Sequence, residues 1–177
     1  VTEEQKNQLL NEAMNEHGDM IKRVIYSYVR DRQRAEDIAQ ETFVKFYLSL
    51  HRFDGHASYK TYIYRIAVNE SLNHLKSWHQ TKVSFRDKLK FWERRESTED
   101  TYIQQERTSE FQTVLESIPL HYRETLWLYY YAELSVAEVA DVLGCSANTV
   151  KTRLARGREH LREQLEVNGY EHQTVTE

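Results

Sequence analysis

The sequence predicts an all-α fold: two small helical domains joined by a flexible linker, the C-terminal one containing a helix-turn-helix. Three observations predict it. Helix breakers are scarce, with one proline and five glycines in 177 residues, too few for a many-turned β fold. Apolar residues recur every three to four positions over residues 10–75 and again from 111 onward, the period of an amphipathic helix. Between these stretches, from His79 to about Thr101, the periodicity fails in a highly charged run, which reads as a linker, partly helical at most. The predicted division is residues 1–78, linker 79–104, residues 105–167 and a frayed tail 168–177. Domains this small have thin cores and depend on close helix packing or on a partner.

The first helix carries Leu10, Met14, Ile21, Val24, Ile25 and Tyr28 on one face, with Gly18 inside it. Asp31 can cap the second, whose stripe is Ala35, Ile38, Ala39, Phe43, Phe46, Tyr47 and Leu50. Asp54-Gly55 marks a turn. Ser58 can cap the third helix, with Tyr59, Tyr62, Ile63, Ile66, Ala67, Leu72 and Leu75 as its apolar positions. In the second domain a helix begins near Tyr102, with Phe111, Val114, Leu115 and Ile118 on one face, and Pro119 ends or restarts it. Leu120 to Ala132 forms another helix, followed by two short ones, Ser135 to Leu143 and Ser146 to about Leu165.

The formal net charge of −4 argues mildly against a nucleic-acid binder, but distribution outweighs the sum. Acid collects in the first 20 residues, over Glu96 to Glu110 and in the tail; base collects at Lys82 to Arg95 and Lys151 to Arg162. The single cysteine, Cys145, excludes an intramolecular disulfide and a Cys-rich zinc site. No apolar run approaches the roughly 20 residues that span a bilayer, and the first residues are polar and acidic, unlike a signal peptide. A soluble, cytoplasmic protein is expected.

Function concentrates in residues 134–158. Ser135 and Glu138 form a capping box, Val136, Val139, Ala140 and Leu143 give the first short helix an apolar face, Gly144 supplies the turn, and Ser146 caps the second, which Val150 and Leu154 tie to the first. This is the syntax of a helix-turn-helix. Ser146, Asn148 and Thr149 stand at the N-terminal end of the second helix, with Lys151, Thr152, Arg153, Arg156 and Arg158 following. Polar side chains there reach base edges while Arg and Lys neutralise phosphates.

The first domain decides what kind of DNA-binding protein this is. The run Arg34-Ala-Glu-Asp-Ile-Ala-Gln-Glu-Thr-Phe-Val-Lys-Phe46 resembles the polymerase-binding segment of the extracytoplasmic-function sigma factors of bacterial RNA polymerase. Tyr59-Lys-Thr-Tyr-Ile-Tyr-Arg-Ile-Ala-Val-Asn69 is similar to their promoter-melting segment. Ile118-Pro-Leu-His-Tyr-Arg-Glu124 and Val150 to Leu161 resemble the opening and the recognition helix of their C-terminal domain. The likeness runs from about Leu9 to Leu165, in the family's order and with its linker.

The resemblance implies that the second helix docks on a coiled coil of the polymerase's largest subunit through Asp37, Ile38, Gln40, Glu41 and Lys45; read alone, the polar positions among these favour a solvated helix face, and the resemblance reverses that reading. Phe43 and Phe46 read as core. The third helix mixes Tyr59, Tyr62 and Tyr64 with Lys60, Arg65, Asn69, Asn73, His74 and Lys76. Rings that stack on exposed bases and cations that follow the backbone suit single-stranded DNA, although Tyr59 and Tyr62 suit a core as well. By resemblance, Tyr59, Lys60, Tyr62, Arg65, Asn69, Asn73 and Lys76 hold the melted minus-10 strand, Asn69 and Asn73 contacting bases. The family usually has Trp where this chain has Tyr62. The minus-35 element is assigned to Ser146, Asn148, Thr149, Lys151, Thr152, Arg153, Arg156 and Arg158. Further implied partners are promoter DNA, the polymerase flap and an anti-sigma factor, often membrane-tethered, in a stress response. The basic linker stretch with Phe85, Phe91 and Trp92 is either a polymerase-channel segment or a solvated tether.

No catalytic set is apparent: there is no phosphate-binding glycine loop and no His-Glu metal motif, and His51, His56, His74 and His79 have no recognised ligand spacing. No cofactor, metal or small-molecule substrate is expected. The main rival is a conventional helix-turn-helix regulator that binds duplex operator alone, often as a dimer, its first domain sensing a ligand or making the dimer; a sensor domain would need a pocket or a phosphoacceptor, and neither signature is present. A helical adaptor would leave the basic recognition helix unexplained.

Overall fold

The computed structural model describes residues 2–53, 56–80 and 110–167. Among these residues seven α-helices follow in order: α1 Glu3–Val29, α2 Arg32–Ser49, α3 Tyr59–Gln80, α4 Glu110–Ser117, α5 Leu120–Leu126, α6 Val136–Leu143 and α7 Ala147–Val167. The expected all-α, two-domain architecture is what is observed. Helices α1, α2 and α3 pack on one another, and α4, α5 and α6 gather around α7.

Each boundary has a local cause. Thr2 and Gln5 form a capping box that starts α1, well before the first apolar residue of its stripe. Arg30, in the left-handed region at φ 50°, ends it. Asp31 accepts from the Arg34 N–H and Ser58 from the Thr61 N–H, as their positions predict. Ser135 and Glu138 close their capping box at 3.2 and 2.8 Å, and Ser146 accepts from the Thr149 N–H at 3.1 Å. Gly144 ends α6 at φ 65°, a conformation that costs any residue with a Cβ.

In the first domain Ile21, Val24, Ile25, Ile38, Phe46, Leu50, Ile63 and Ala67 are fully buried, with Phe43 close to it. Two expectations change. Met14, placed on the apolar stripe, is 49% exposed; Ala13 and Gly18 are the buried residues of that stretch, and Met14 falls at the edge of the packed face. Tyr64, grouped with the DNA-stacking rings, is 1% exposed. It lies on the core side of α3, and burial pushes its hydroxyl pKa far up, so it holds the core and cannot stack on a base.

In the second domain Val114, Leu115, Ile118, Leu126, Leu128, Val139, Val142, Val150 and Leu154 form the core. The helix expected over Leu120 to Ala132 widens into a π-helical turn at Trp127–Tyr131. This turn keeps Trp127 and Leu128 inside and leaves Tyr130 48% exposed. Gly157 is where α7 crosses α5: a Cβ there would stand 3.1 Å from the Leu126 side chain. The linker expected over 79–104 begins one helical turn or less from the end of α3 at Gln80. The basic stretch Lys82 to Arg95, the segment around Tyr102 and the tail from Asn168 lie outside the described residues.

Candidate nucleic-acid and polymerase interfaces

Helix α7 is held by one face and open on the other. Val150, Leu154 and Gly157 are buried, while Asn148, Lys151, Thr152, Ala155 and Arg156 are exposed. Their spacing at i, i+3, i+4, i+7 and i+8 makes one continuous stripe. Ala155, not singled out from the sequence, puts a small side chain in it between Thr152 and Arg156. Ser146 and Thr149 are tied to each other through their hydroxyls at 2.9 Å, so their first role is to cap α7. The Thr152 hydroxyl donates to the Asn148 carbonyl at 3.0 Å.

The two remaining arginines have partners. Arg158 donates to the Tyr130 hydroxyl at 2.9 Å, so the π-helical turn braces the C-terminal half of the stripe. Arg153 is half-buried and faces Glu124 of α5 at 3.5 Å. Burial raises the Glu124 carboxyl pKa, against the Tyr28 hydroxyl, Arg153 and Arg123, which favour its charge. Arg123 itself is buried, and donates to the carbonyls of Glu116 and Ser27, each at 2.7 Å. Desolvation pulls its pKa down to about 10.

On α3, Asn69, Asn73 and Lys76 are exposed and lie on one face. Tyr59 and Tyr62 are half-buried in an aromatic cluster that also contains Phe53, a residue the periodicity did not reveal because it sits in the loop after α2. Tyr59 stacks on Phe53 at 4.3 Å and meets Phe46 edge-on at 6.4 Å. Tyr62 stands 5.2 Å from Phe53 and 6.2 Å from Phe46. Both rings thus take part in the core packing that their sequence position allowed. Lys60 is half-buried, and Arg65 pairs with Asp141 of α6.

On α2, Asp37, Gln40, Glu41 and Lys45 are exposed. Ile38 is not: it is completely buried. Its stripe position makes it a core residue, and its assignment to a partner contact is corrected here. Lys45 pairs with the nearly buried Glu70 of α3, and Glu41 faces His74 at 3.5 Å. Two residues missed from the sequence complete this face. Val44 and Leu48 are 58% and 62% exposed, at i+7 and i+11 from Asp37. They put an exposed apolar pair beside the acids and the amide of this face.

Among the described residues no group of three or more His, Cys, Asp or Glu is placed to hold a metal ion. Cys145 is half-buried against the core at the helix-turn-helix corner, and among the described residues no helix is long and apolar enough to cross a membrane.

Comparison with known proteins bears on both domains. Residues 13–80 match the Sigma-70 region 2 family, and residues 108–161 match Sigma-70, region 4. The chain is 31% identical over 158 residues to the ECF RNA polymerase sigma factor SigW of Bacillus subtilis, covering 84% of each chain. It is 31% identical over 153 residues to the RNA polymerase sigma-H factor of Pseudomonas aeruginosa, covering 81% of this chain and 79% of that one. Among solved structures, it shares its fold with CnrH in complex with the cytosolic domain of CnrY, at a TM-score of 0.64 and 21% identity, over 90% of this chain and 89% of that one. The sigma factor RpoE of Bartonella quintana, in complex with the anti-sigma factor NepR, matches at a TM-score of 0.65 and 18% identity, over 87% and 96%.

Proposed function

Because the chain belongs to the ECF family of RNA polymerase sigma factors, we propose that its two domains divide promoter recognition between them and that α2 delivers both to the polymerase. The protein is an alternative sigma factor acting in transcription initiation. In the finer reading, residues 1–78 bind core polymerase and the minus-10 element, and residues 105–167 bind the minus-35 element.

The observation that carries this reading is the coexistence of two unlike exposed faces. One is the α7 stripe of Asn148, Lys151, Thr152 and Arg156; the other is the acidic and apolar stripe of α2. The first suits duplex DNA, with the α7 N-terminus and its cations at phosphates and the side chains between them at base edges. The second repels DNA and suits a protein. We assign it to the coiled coil of the largest polymerase subunit, with Asp37, Gln40 and Glu41 as polar contacts around Val44 and Leu48.

On α3, Asn69 and Asn73 read bases of the melted strand, Lys60, Arg65 and Lys76 follow its phosphates, and Tyr59 and Tyr62 offer ring edges from their aromatic cluster. The partners are core polymerase, including its flap, and promoter DNA. An anti-sigma factor is a further partner, supported by the two structural relatives that were solved with proteins bound. The chain acts in the cytoplasm, held at the membrane only through such a partner.

Co-elution with bacterial core polymerase tests the docking assignment. The wild-type chain co-elutes, and Asp37→Arg with Glu41→Arg weakens binding by at least about tenfold. Equal binding by the two would overturn it.

A further inference from the structure

Two arginines of α7 are held in different ways. Arg153 is half-buried and faces the Glu124 carboxylate at 3.5 Å, so its charge is answered inside the protein. Arg158 is exposed, and its Nη1 donates to the Tyr130 hydroxyl at 2.9 Å. That acceptor is neutral. The guanidinium is therefore fixed in direction without being neutralised. The bond uses a single N–H, and the rest of the guanidinium fork can still grip an oxyanion.

Tyr130 reaches this place through the π-helical turn Trp127–Tyr131. Such turns are rare and concentrate at functional sites. The Tyr129 ring stands edge-on to the Tyr130 ring at 5.0 Å, which limits where that ring can swing. On α7, Arg158 comes seven residues after Lys151 and four before Arg162, and all three are exposed. At helical spacing they line one edge of the helix, beside Thr152 and Ala155, while Arg156 lies on the opposite edge. A helix seated in a major groove has the phosphates of one strand along each edge. A row of cations with one member already oriented suits such a backbone.

We propose that Tyr130 is a positioning residue for minus-35 binding: its hydroxyl holds the Arg158 guanidinium toward a phosphate of the strand along this edge. The proposal rests on the assignment of α7 to duplex DNA. A free arginine loses rotamer freedom when it meets a phosphate. One that is already held does not lose it again, and the gain appears as affinity.

The test uses holoenzyme assembled from the full-length chain and core polymerase. Its ligand is a duplex from the promoter of the strongest run-off transcript, cut between the minus-35 and minus-10 elements so that α7 carries the contact. Fluorescence anisotropy gives the affinity at salt concentrations from roughly 50 to 200 mM. Tyr130→Phe keeps the ring and should leave Tm unchanged. It should weaken binding about tenfold, the loss expected for a hydrogen bond to a charged group, and should lower the slope of log affinity against log salt by about 1. A merely structural tyrosine would not move that slope. Arg158→Ala should do the same, and the double variant should lose no more than either single one. Wild-type affinity and slope in Tyr130→Phe, weaker binding with an unchanged slope, or losses that add in the double variant would each refute the proposal. If Lys151→Ala with Arg156→Ala leaves binding at the wild-type level, the assignment of α7 to DNA fails, and the proposal with it. If that pair weakens binding and Tyr130→Phe does not, the proposal alone fails.

Discussion

The hydroxyl of Tyr28, at the end of α1, donates to the carboxylate of Glu124, 96 positions further along the chain. A buried acid on the second domain thus takes its hydrogen bond from the first, so the stability of either domain depends on the other. Tyr28→Phe leaves Glu124 short of one donor in a buried site, a loss of about 1.5–3 kcal/mol for a bond to a charged group. Calorimetry should show a lower Tm and a less cooperative transition. An unchanged Tm would contradict the contact.

Two glycines should respond to alanine with opposite signs. Gly144 sits at φ 65°, where a Cβ costs about 1 kcal/mol. Gly18 lies inside α1, and nothing approaches within 4 Å of the position its Cβ would take, so Gly18→Ala should stabilise by about 0.5–1 kcal/mol. Urea unfolding of both variants checks the pair.

Val44→Asp with Leu48→Asp should leave Tm unchanged, because both side chains are exposed. Binding to core polymerase should fall by at least about tenfold, since each buried aliphatic contact contributes about 1.5–3 kcal/mol. Titration calorimetry of fold-intact variants separates this outcome from misfolding.

Arg156→Ala should weaken minus-35 duplex binding without moving Tm. If Arg156 contacts a phosphate, the slope of log affinity against log salt falls by about 1. An unchanged slope would place it at a base edge or off the DNA.

The Glu138 carboxyl pKa is lowered, first by the Ser135 backbone N–H, against burial as the next largest effect, with smaller help from the Ser135 hydroxyl, Thr61 and Lys60. A depressed carboxylate pKa stabilises the fold above the unfolded pKa, and that contribution disappears as pH falls through the folded value. Glu138→Gln should therefore lower Tm at pH 7, and the difference from wild type should shrink as pH falls below the ordinary glutamate value of 4.5. A constant difference across pH would assign the effect to shape rather than charge.

The helices and caps were legible because their signals are local. Asp31, Ser58, Ser135, Glu138, Gly144 and Ser146 each act within a few residues, and periodicity marks a buried face directly. What was not legible depends on which side of a helix finds a partner. Ile38 sits among polar positions of a motif, yet its stripe was the better guide, and it is buried. Val44 lies inside the motif and Leu48 just past it, both off the apolar stripe, and they became visible only once α2 had a solvent side. Tyr64 belongs by composition with Tyr59 and Tyr62, but the 100° step of the helix turns it into the core. The pairing of Arg65 with Asp141 joins residues 76 apart, and no sequence pattern announces it.

Run-off transcription from fragmented genomic DNA of the host, with bacterial core polymerase and the purified chain, tests the central claim most directly. Discrete transcripts should appear with the wild-type chain and should be lost with Asn69→Ala and Asn73→Ala, although that variant still binds core polymerase. An absence of transcripts, together with tight binding of duplex operator by the chain alone, would contradict the account.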